Sequence, residues 1–315
     1  MTTALICGAT GQDGAYLAQH LLSLNYQVFG TSRDAHVGGA GNLKRLGIAG
    51  AVALLSMAPN DFRSVLQVLE KTRPDEIYNL AGQSSVALSF EQPVETLESV
   101  TLGTLNLLEC IRFLRLPCRL YNAGSGECFG DTGEQAADES TPFRPRSPYA
   151  VAKAAAFWEV ANYREAYDIF ACTGILFNHE SPLRAERFVT QKIVRAAKRI
   201  AEGSAETLML GNIDISRDWG YAPEYVHAMW LMLQQAQPHD FVIATGRTST
   251  LRDFVASAFG AFELDWERHV EVDPALFRPS DLRMSRADPS RALAGLGWQA
   301  ASGIQDIIRK MIGGV

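Results

Sequence analysis

Apolar residues recur along this chain in short runs that alternate with longer stretches at helical spacing. Thr3-Ala-Leu-Ile-Cys7 is a compact apolar run that breaks at Gly8-Ala-Thr-Gly11-Gln-Asp-Gly14, after which Tyr16, Leu17, His20, Leu21 and Leu22 recur three and four residues apart. That pattern predicts strand, glycine turn, helix. Further strands are predicted at Tyr26 to Gly30, Ala51 to Leu55, Glu76 to Leu80, Cys118 to Asn122 and 169 to 176, with helices at Phe62 to Lys71, Val100 to Leu114 and 149 to 167. A polar, glycine-containing loop (Gly38-Gly39-Ala40-Gly41) follows the second strand. Strands alternating with helices imply an α/β fold, a Rossmann-type doubly wound parallel sheet with helices on both faces.

The rhythm breaks after Phe177, where Asn178-His-Glu-Ser-Pro182 opens an irregular region. Helices are expected from Phe188 to Glu202, Pro223 to Gln235, Leu251 to Phe259 and about Ser302 to Ile312. Much of this region is assigned to a smaller mixed α/β substrate-binding lobe over the strand ends, where open α/β sheets bind ligands. The expected division is residues 1–177 for the dinucleotide-binding domain, with returning segments around 214–247, and 178–213 plus 248–315 for the lobe.

The chain has 315 residues and a net charge of −6, with its basic residues scattered. That argues against a general nucleic-acid binder and for cations spent singly on phosphates in a pocket. No apolar stretch reaches membrane-spanning length, and Met1 leads directly into the first strand without a charged leader, so the cytoplasm is the expected compartment. Cys7, Cys110, Cys118, Cys128 and Cys172 are odd in number and unclustered, which points to core thiols and to no metal site.

The glycine turn Gly8-x-x-Gly11-x-x-Gly14, with Thr10, Gln12 and Asp13 between, lets a backbone approach a pyrophosphate at a helix N-terminus and predicts a dinucleotide cofactor. Leu80-Ala81-Gly82-Gln83-Ser84-Ser85 follows the fourth strand and would run along the nicotinamide-side ribose. After the second strand an arginine would accept the extra phosphate of NADP and an acid the ribose hydroxyls of NAD. Arg33 then Asp34 stand there, so the reading leans to NADP and leaves NAD open.

The chemistry-bearing set is Ser125-Gly126-Glu127 and Tyr149-Ala-Val-Ala-Lys153. Tyr149 and Lys153 share a helix face, so the ammonium is expected to hold the phenol near its phenolate form, able to accept an alcohol proton. Ser125 would hydrogen-bond the same hydroxyl. A carboxyl two residues after that serine is idle in simple alcohol oxidation, whereas elimination of water needs a base for a carbon acid and an acid for a leaving hydroxyl. Glu127 therefore points to a dehydratase.

At these residues the chain resembles the extended short-chain dehydrogenase/reductase family, and over nearly its whole length the GDP-mannose 4,6-dehydratase family within it. Asn178-His-Glu-Ser-Pro182, Arg217-Asp-Trp-Gly220, Phe188-Val-Thr190 and Phe277-Arg-Pro279 are similar to segments of that narrow group. The resemblance implies a cycle in which Tyr149 takes the C4 hydroxyl proton as hydride passes to NADP+. Glu127 then removes the C5 proton and assists loss of the C6 hydroxyl, and the hydride returns to C6. It further implies a substrate pocket containing Ser85, Asn178, Val189, Lys192, Leu210, Gly211, Asn212, Arg217 and Arg278, with the arginines and Lys192 clamping a diphosphate or, alternatively, the two arginines serving ion pairs between lobes. Departures from the family pattern are Ser125 for a threonine, Arg33-Asp34 for a double arginine, Ala58 and Val100 for acids, Gln191 for an arginine and Arg283 for an acid.

The competing readings are a GDP-4-keto-6-deoxymannose reductase, which would consume reduced cofactor stoichiometrically, a nucleotide-sugar epimerase, and a cofactor-sensing binding protein. A homodimer is expected from the apolar residues Leu105, Leu107, Leu108, Ile111, Phe157 and Val160 of the helices at Val100 to Leu114 and from Tyr149. A tetramer is less favoured, because the segment Asp34 to Gly41 carries little charge.

Overall fold

The computed structural model describes residues 1–35 and 40–314; the loop positions Gly38 and Gly39 lie outside the described residues. The first part runs β1 (Thr3–Cys7), α1 (Gln12–Ser23), β2 (Gln27–Ser32), α2 (Gly41–Arg45), β3 (Ala53–Ser56), α3 (Phe62–Thr72), β4 (Glu76–Asn79), α4 (Val86–Glu91) and α5 (Pro93–Leu97). A π-helical stretch, Glu98–Leu102, leads into α6 (Gly103–Leu114), then β5 (Arg119–Ala123), a 3₁₀ turn (Gly126–Phe129), α7 (Pro148–Tyr167) and β6 (Ala171–Leu176). The remainder is β7 (Asn178–Glu180), α8 (Val189–Ala201), β8 (Leu208–Leu210), β9 (Ser216–Tyr221), α9 (Ala222–Leu233), β10 (Phe241–Ile243), β11 (Thr248–Thr250), α10 (Leu251–Gly260), β12 (Val270–Val272), α11 (Ser290–Leu296) and α12 (Ile304–Gly313).

Seven strands form the main sheet in the order β10-β6-β5-β4-β1-β2-β3, all pairs parallel. The Rossmann-type sheet expected from the alternating pattern is therefore present. The chain winds outward from β1 to β3 and then returns through β4, so the topological switch lies between β1 and β4, where such sheets open a ligand crevice. All six residues of β6 are buried, as a strand covered on both faces requires. Gly8 ends β1 with φ +85°, and a Cβ there would stand 3.0 Å from the Leu80 carbonyl oxygen, so only glycine fits between the first turn and the end of β4.

Two apolar cores lie on the faces of this sheet. One packs α1 and α9 residues such as Leu17, Leu21, Val226 and Met229 against Ile6 and Tyr121, the other packs Val65, Leu69, Leu107 and Ile111 against Leu5 and Ile77. A third core, with Ile193, Val194, Phe254, Phe259, Ile307 and Trp219, belongs to α8, α10, α12 and β9. It is flanked by the small sheets β11-β9-β7 and β12-β8.

Two expectations need correction. The helix read as Val100 to Leu114 is continued backwards through the π-helical stretch to Pro93, which occupies a first-turn position where its missing N–H costs nothing. Leu107, Leu108, Ile111 and Val160, invoked for a dimer face, are buried within this chain, while Leu105 and Phe157 are half-buried. Among the described residues, the large apolar side chains left exposed on these helices are Val94, Leu97, Leu102, Phe113, Val151, Trp158 and Tyr167.

Candidate active site

Each reactive side chain is set by the end of a strand or the start of a helix. Ser125 follows β5 in an extended conformation, and its Oγ accepts from the Glu127 backbone N–H at 3.3 Å, which starts the 3₁₀ turn that presents Glu127. Gly126 allows that turn to lie on the Phe177 ring, because a Cβ there would meet the ring carbons at 2.9 Å. Helix α7 starts at Pro148 behind Ser147, whose Oγ accepts from the Ala150 N–H at 3.1 Å. Tyr149 and Lys153 therefore occupy its first turns, facing the end of β5.

Ser125, Glu127, Tyr149 and Lys153 line one cleft of about 390 Å³. Asp13, Leu80 and Ser84 of the expected cofactor set line the same cleft, as do Ser85, Asn178, Val189, Lys192, Leu210, Gly211, Asn212, Arg217 and Arg278 of the expected substrate set. Gly8, Thr10, Gly11, Gln12 and Gly14 form the turn and first residues of α1, and Ala81 follows β4. Gly11, the N-cap of α1, provides no side-chain cap, so the first N–H groups of the helix remain available to an anion. That feature fits a pyrophosphate.

The electrostatics differ from the sequence expectation at Tyr149. Burial pushes its phenol up, more strongly than the hydrogen bond with Ser125 and the nearby Arg184 pull it down. Lys153 Nζ donates to the Ala123 carbonyl oxygen at 2.7 Å and stands 5.9 Å from the centre of the Tyr149 ring. Burial in this low-dielectric wall therefore favours the neutral phenol. Burial also lowers Lys153, to about 8.

Arg217 is 4% exposed, and its guanidinium makes three hydrogen bonds. Nη1 donates to the carbonyls of Ser216 at 3.0 Å and Leu282 at 2.8 Å, Nη2 to Asp281 at 3.1 Å, and Nε lies 4.0 Å from a Glu127 carboxylate oxygen. Asp281 also stands 3.6 Å from Arg278 Nη1, so one acid joins both arginines expected to clamp a diphosphate. Lys192 Nζ donates to the Met209 carbonyl at 2.7 Å. Arg33, immediately after β2, is largely exposed and lies 3.8 Å from Glu95 of α5.

Asp281, Arg184 and Arg187 also line the cleft, and sequence reasoning had not placed them there. Asp281 was findable as the acid three residues after Arg278. The two arginines flank Phe188, with Arg184 at 3.6 Å and Arg187 at 5.2 Å from its ring centre, a contact that spacing alone does not reveal. Among the described residues no group of three or more His, Cys, Asp or Glu could hold a metal ion, and no helix is long and apolar enough to cross a membrane.

Comparison with known proteins gives a consistent result. A family model described as GDP-mannose 4,6 dehydratase matches residues 5–311. The chain is 45% identical over 319 residues to GDP-mannose 4,6 dehydratase 1 of Arabidopsis thaliana, covering 98% of this chain and 88% of that protein. It is 44% identical over 337 residues to GDP-mannose 4,6-dehydratase of Sinorhizobium fredii, covering 98% and 95%. Among solved structures, the UDP-glucose 4-epimerase of Thermus thermophilus in complex with NAD superposes with a TM-score of 0.87 at 27% identity, covering 99% of this chain and 98% of that one.

Proposed function

Because the chain belongs to the GDP-mannose 4,6-dehydratase family, we propose that it is a hydro-lyase converting GDP-mannose to GDP-4-keto-6-deoxymannose and water. The observation that carries this reading is Glu127 in one cleft with Ser125 and Tyr149. A nicotinamide dinucleotide held by the glycine turn 8–14, the start of α1 and Ser84 would supply a hydride acceptor that is restored within each turnover, so no net oxidant would be needed. Burial favours the neutral phenol, so Tyr149 must first give up its own proton; as phenolate it takes the C4 hydroxyl proton, with Ser125 hydrogen-bonding the same oxygen, and passes that proton to C5 when the hydride reaches C6. The resulting C4 ketone acidifies the C5 hydrogen, and Glu127 removes that proton and delivers one to the departing C6 hydroxyl. The smaller lobe, taken as 178–213 and 248–315, supplies Asn178, Lys192, Asn212 and Arg278 around the nucleotide diphosphate and excludes water from the reacting carbons.

The test is incubation with GDP-mannose and substoichiometric oxidised cofactor. The expected product is lighter than substrate by one water. No mass loss in this mixture, with consumption of reduced cofactor when GDP-4-keto-6-deoxymannose is supplied instead, would favour the reductase.

For the cofactor we infer a modest preference for NADP. Arg33 can reach a 2′-phosphate, but Glu95 at 3.8 Å competes for its guanidinium, and Asp34 adds a second acid nearby. Arg33→Ala should weaken NADP+ binding roughly tenfold, about one charge-assisted hydrogen bond, and leave NAD+ within about twofold. Glu95→Gln should widen the preference. Calorimetry showing that the unaltered protein binds NAD+ more tightly would reverse this assignment.

We also propose a C2 dimer through the exposed apolar residues of α5, α6, α7 and the π-helical stretch, with Trp158 62% exposed at its centre. Light scattering should give a dimer that Trp158→Glu converts to monomer. A wild-type monomer would contradict the assignment. The bridging segment considered for a tetramer includes residues 36–39, outside the described residues.

A further inference from the structure

Asp13 and His179 join the two halves of the cleft. Asp13 is in the first turn of α1, at the expected pyrophosphate site, and His179 lies in β7 between Asn178 and Glu180, which both line the cleft. His179 Nε2 is 2.9 Å from the Asp13 carboxylate, and Nδ1 is 2.7 Å from the Phe177 carbonyl oxygen. Both neighbours are acceptors. A neutral imidazole carries one N–H and would leave one of these contacts without a proton, whereas the imidazolium satisfies both. Burial works against that charge, yet Asp13 and the Phe177 carbonyl outweigh it and raise the histidine pKa. Burial likewise disfavours the Asp13 carboxylate, but His179, Gln12 and Arg184 together hold it below the usual range. The charged groups facing the ring are Asp13 from α1 and, opposing, Arg184 from the segment after β7. Tyr225 of α9 stacks on the ring at 4.5 Å as a neutral phenol.

Neighbouring bonds fasten the same backbone to the cofactor side. Gln12 Nε2 donates to the His179 carbonyl at 3.2 Å, Ser181 Oγ donates to Gln12 Oε1 at 2.8 Å, and Arg45 of α2 donates to the Pro182 carbonyl at 3.1 Å. The segment that begins the nucleotide-sugar side of the cleft therefore rests on the first turn of the dinucleotide side.

We infer that His179, held as an imidazolium by Asp13, is a positioning residue that couples the two ligands of this cleft, so that a dinucleotide seated on α1 and a nucleoside diphosphate held along β7 each strengthen binding of the other. The inference rests on the proposed reading of the cleft. The ion pair makes the α1 wall and the β7 wall move together, so a ligand that fixes the position of one wall fixes the other and relieves the second ligand of that positional cost, reciprocally. Loss of the charge on His179 weakens that link. With its raised folded value, the imidazolium contribution is fully present below the ordinary histidine pKa and is lost as pH rises through the folded one.

The test is calorimetric titration of NADP+ into the full-length protein with and without saturating GDP, for the unaltered chain, His179→Gln and Asp13→Asn. Coupling of about fivefold or more is expected in the unaltered protein, within the usual range for linked sites. Both variants should bring it to within about twofold of unity, and rising pH should abolish it in the unaltered protein. A merely structural role would lower the melting temperature of the variants and leave the coupling factor intact, which overturns the inference. Nitrogen NMR of the unaltered protein adds a readout independent of variant folding: both His179 ring nitrogens should be protonated at neutral pH, and a single protonated nitrogen overturns the charge assignment. Binding of both ligands without coupling refutes this inference alone. Failure to bind GDP at all refutes the functional reading and this inference together.

Discussion

Glu127→Gln should abolish water loss from GDP-mannose while the protein still binds both ligands and still oxidises C4. The amide keeps the shape of the side chain, so the 3₁₀ turn and the Ser125 contact that present it are preserved. It cannot accept the C5 proton, and a general base of this kind contributes about 10²–10⁴-fold. Arg217, at 4.0 Å, would lose one of two acidic neighbours and retain Asp281 at 3.1 Å, which keeps the buried guanidinium compensated. On mixing the variant with substrate and oxidised cofactor, the near-ultraviolet band of reduced nicotinamide should appear, with no product lighter by one water. That split matters because a structural defect would suppress both signals. Dehydration within about tenfold of the unaltered rate would remove Glu127 from the elimination.

Six of the seven strands of the main sheet were legible because they are long enough to show a pattern and are punctuated by chemistry. Thr3–Cys7 is apolar and ends at a glycine with φ +85°, and Arg119–Ala123 ends at Ser125 and Glu127. β7, β8, β10, β11 and β12 have three residues each, too few for a period to be counted, and they exist because neighbouring strands complete their hydrogen bonds. The dimer residues were misread for a related reason. Leu107 and Leu108 are as apolar as Leu102, and only the packing of α6 on the sheet decides which face is covered. At the site, motif spacing brought Tyr149, Lys153, Ser125 and Glu127 together, since all four are tied to one strand end and one helix start. Contacts made across long sequence separations, such as Asp13 with His179 or Arg33 with Glu95, left no local trace.

Lys153→Met should make the protein more stable and nearly inactive at once. Burial lowers Lys153 to about 8, so holding the ammonium in this wall costs folding free energy. Relative to an unfolded lysine near 10.4 the difference corresponds to about 3 kcal/mol. Loss of the 2.7 Å bond to the Ala123 carbonyl offsets part of that, leaving a net gain of about 1–2 kcal/mol, a rise of a few degrees in melting temperature. The sign follows from protonation. Below about pH 8 both states carry the charge and the burial cost is whole. Between the folded and unfolded values the native state has already released its proton, so the cost shrinks, and above the unfolded value it is gone. The stability advantage of the methionine variant should therefore be largest at neutral pH and fade towards pH 10. Turnover should move the opposite way, because burial already favours the neutral phenol and the variant removes the ammonium 5.9 Å from the ring that can stabilise the phenolate when the proton is given up, so kcat should fall by about 10²-fold or more. Thermal melts across pH together with steady-state rates test both halves. A variant that is less stable than the parent at neutral pH would show that the ammonium is a structural asset, and a variant with near-normal kcat would show that Tyr149 works without it.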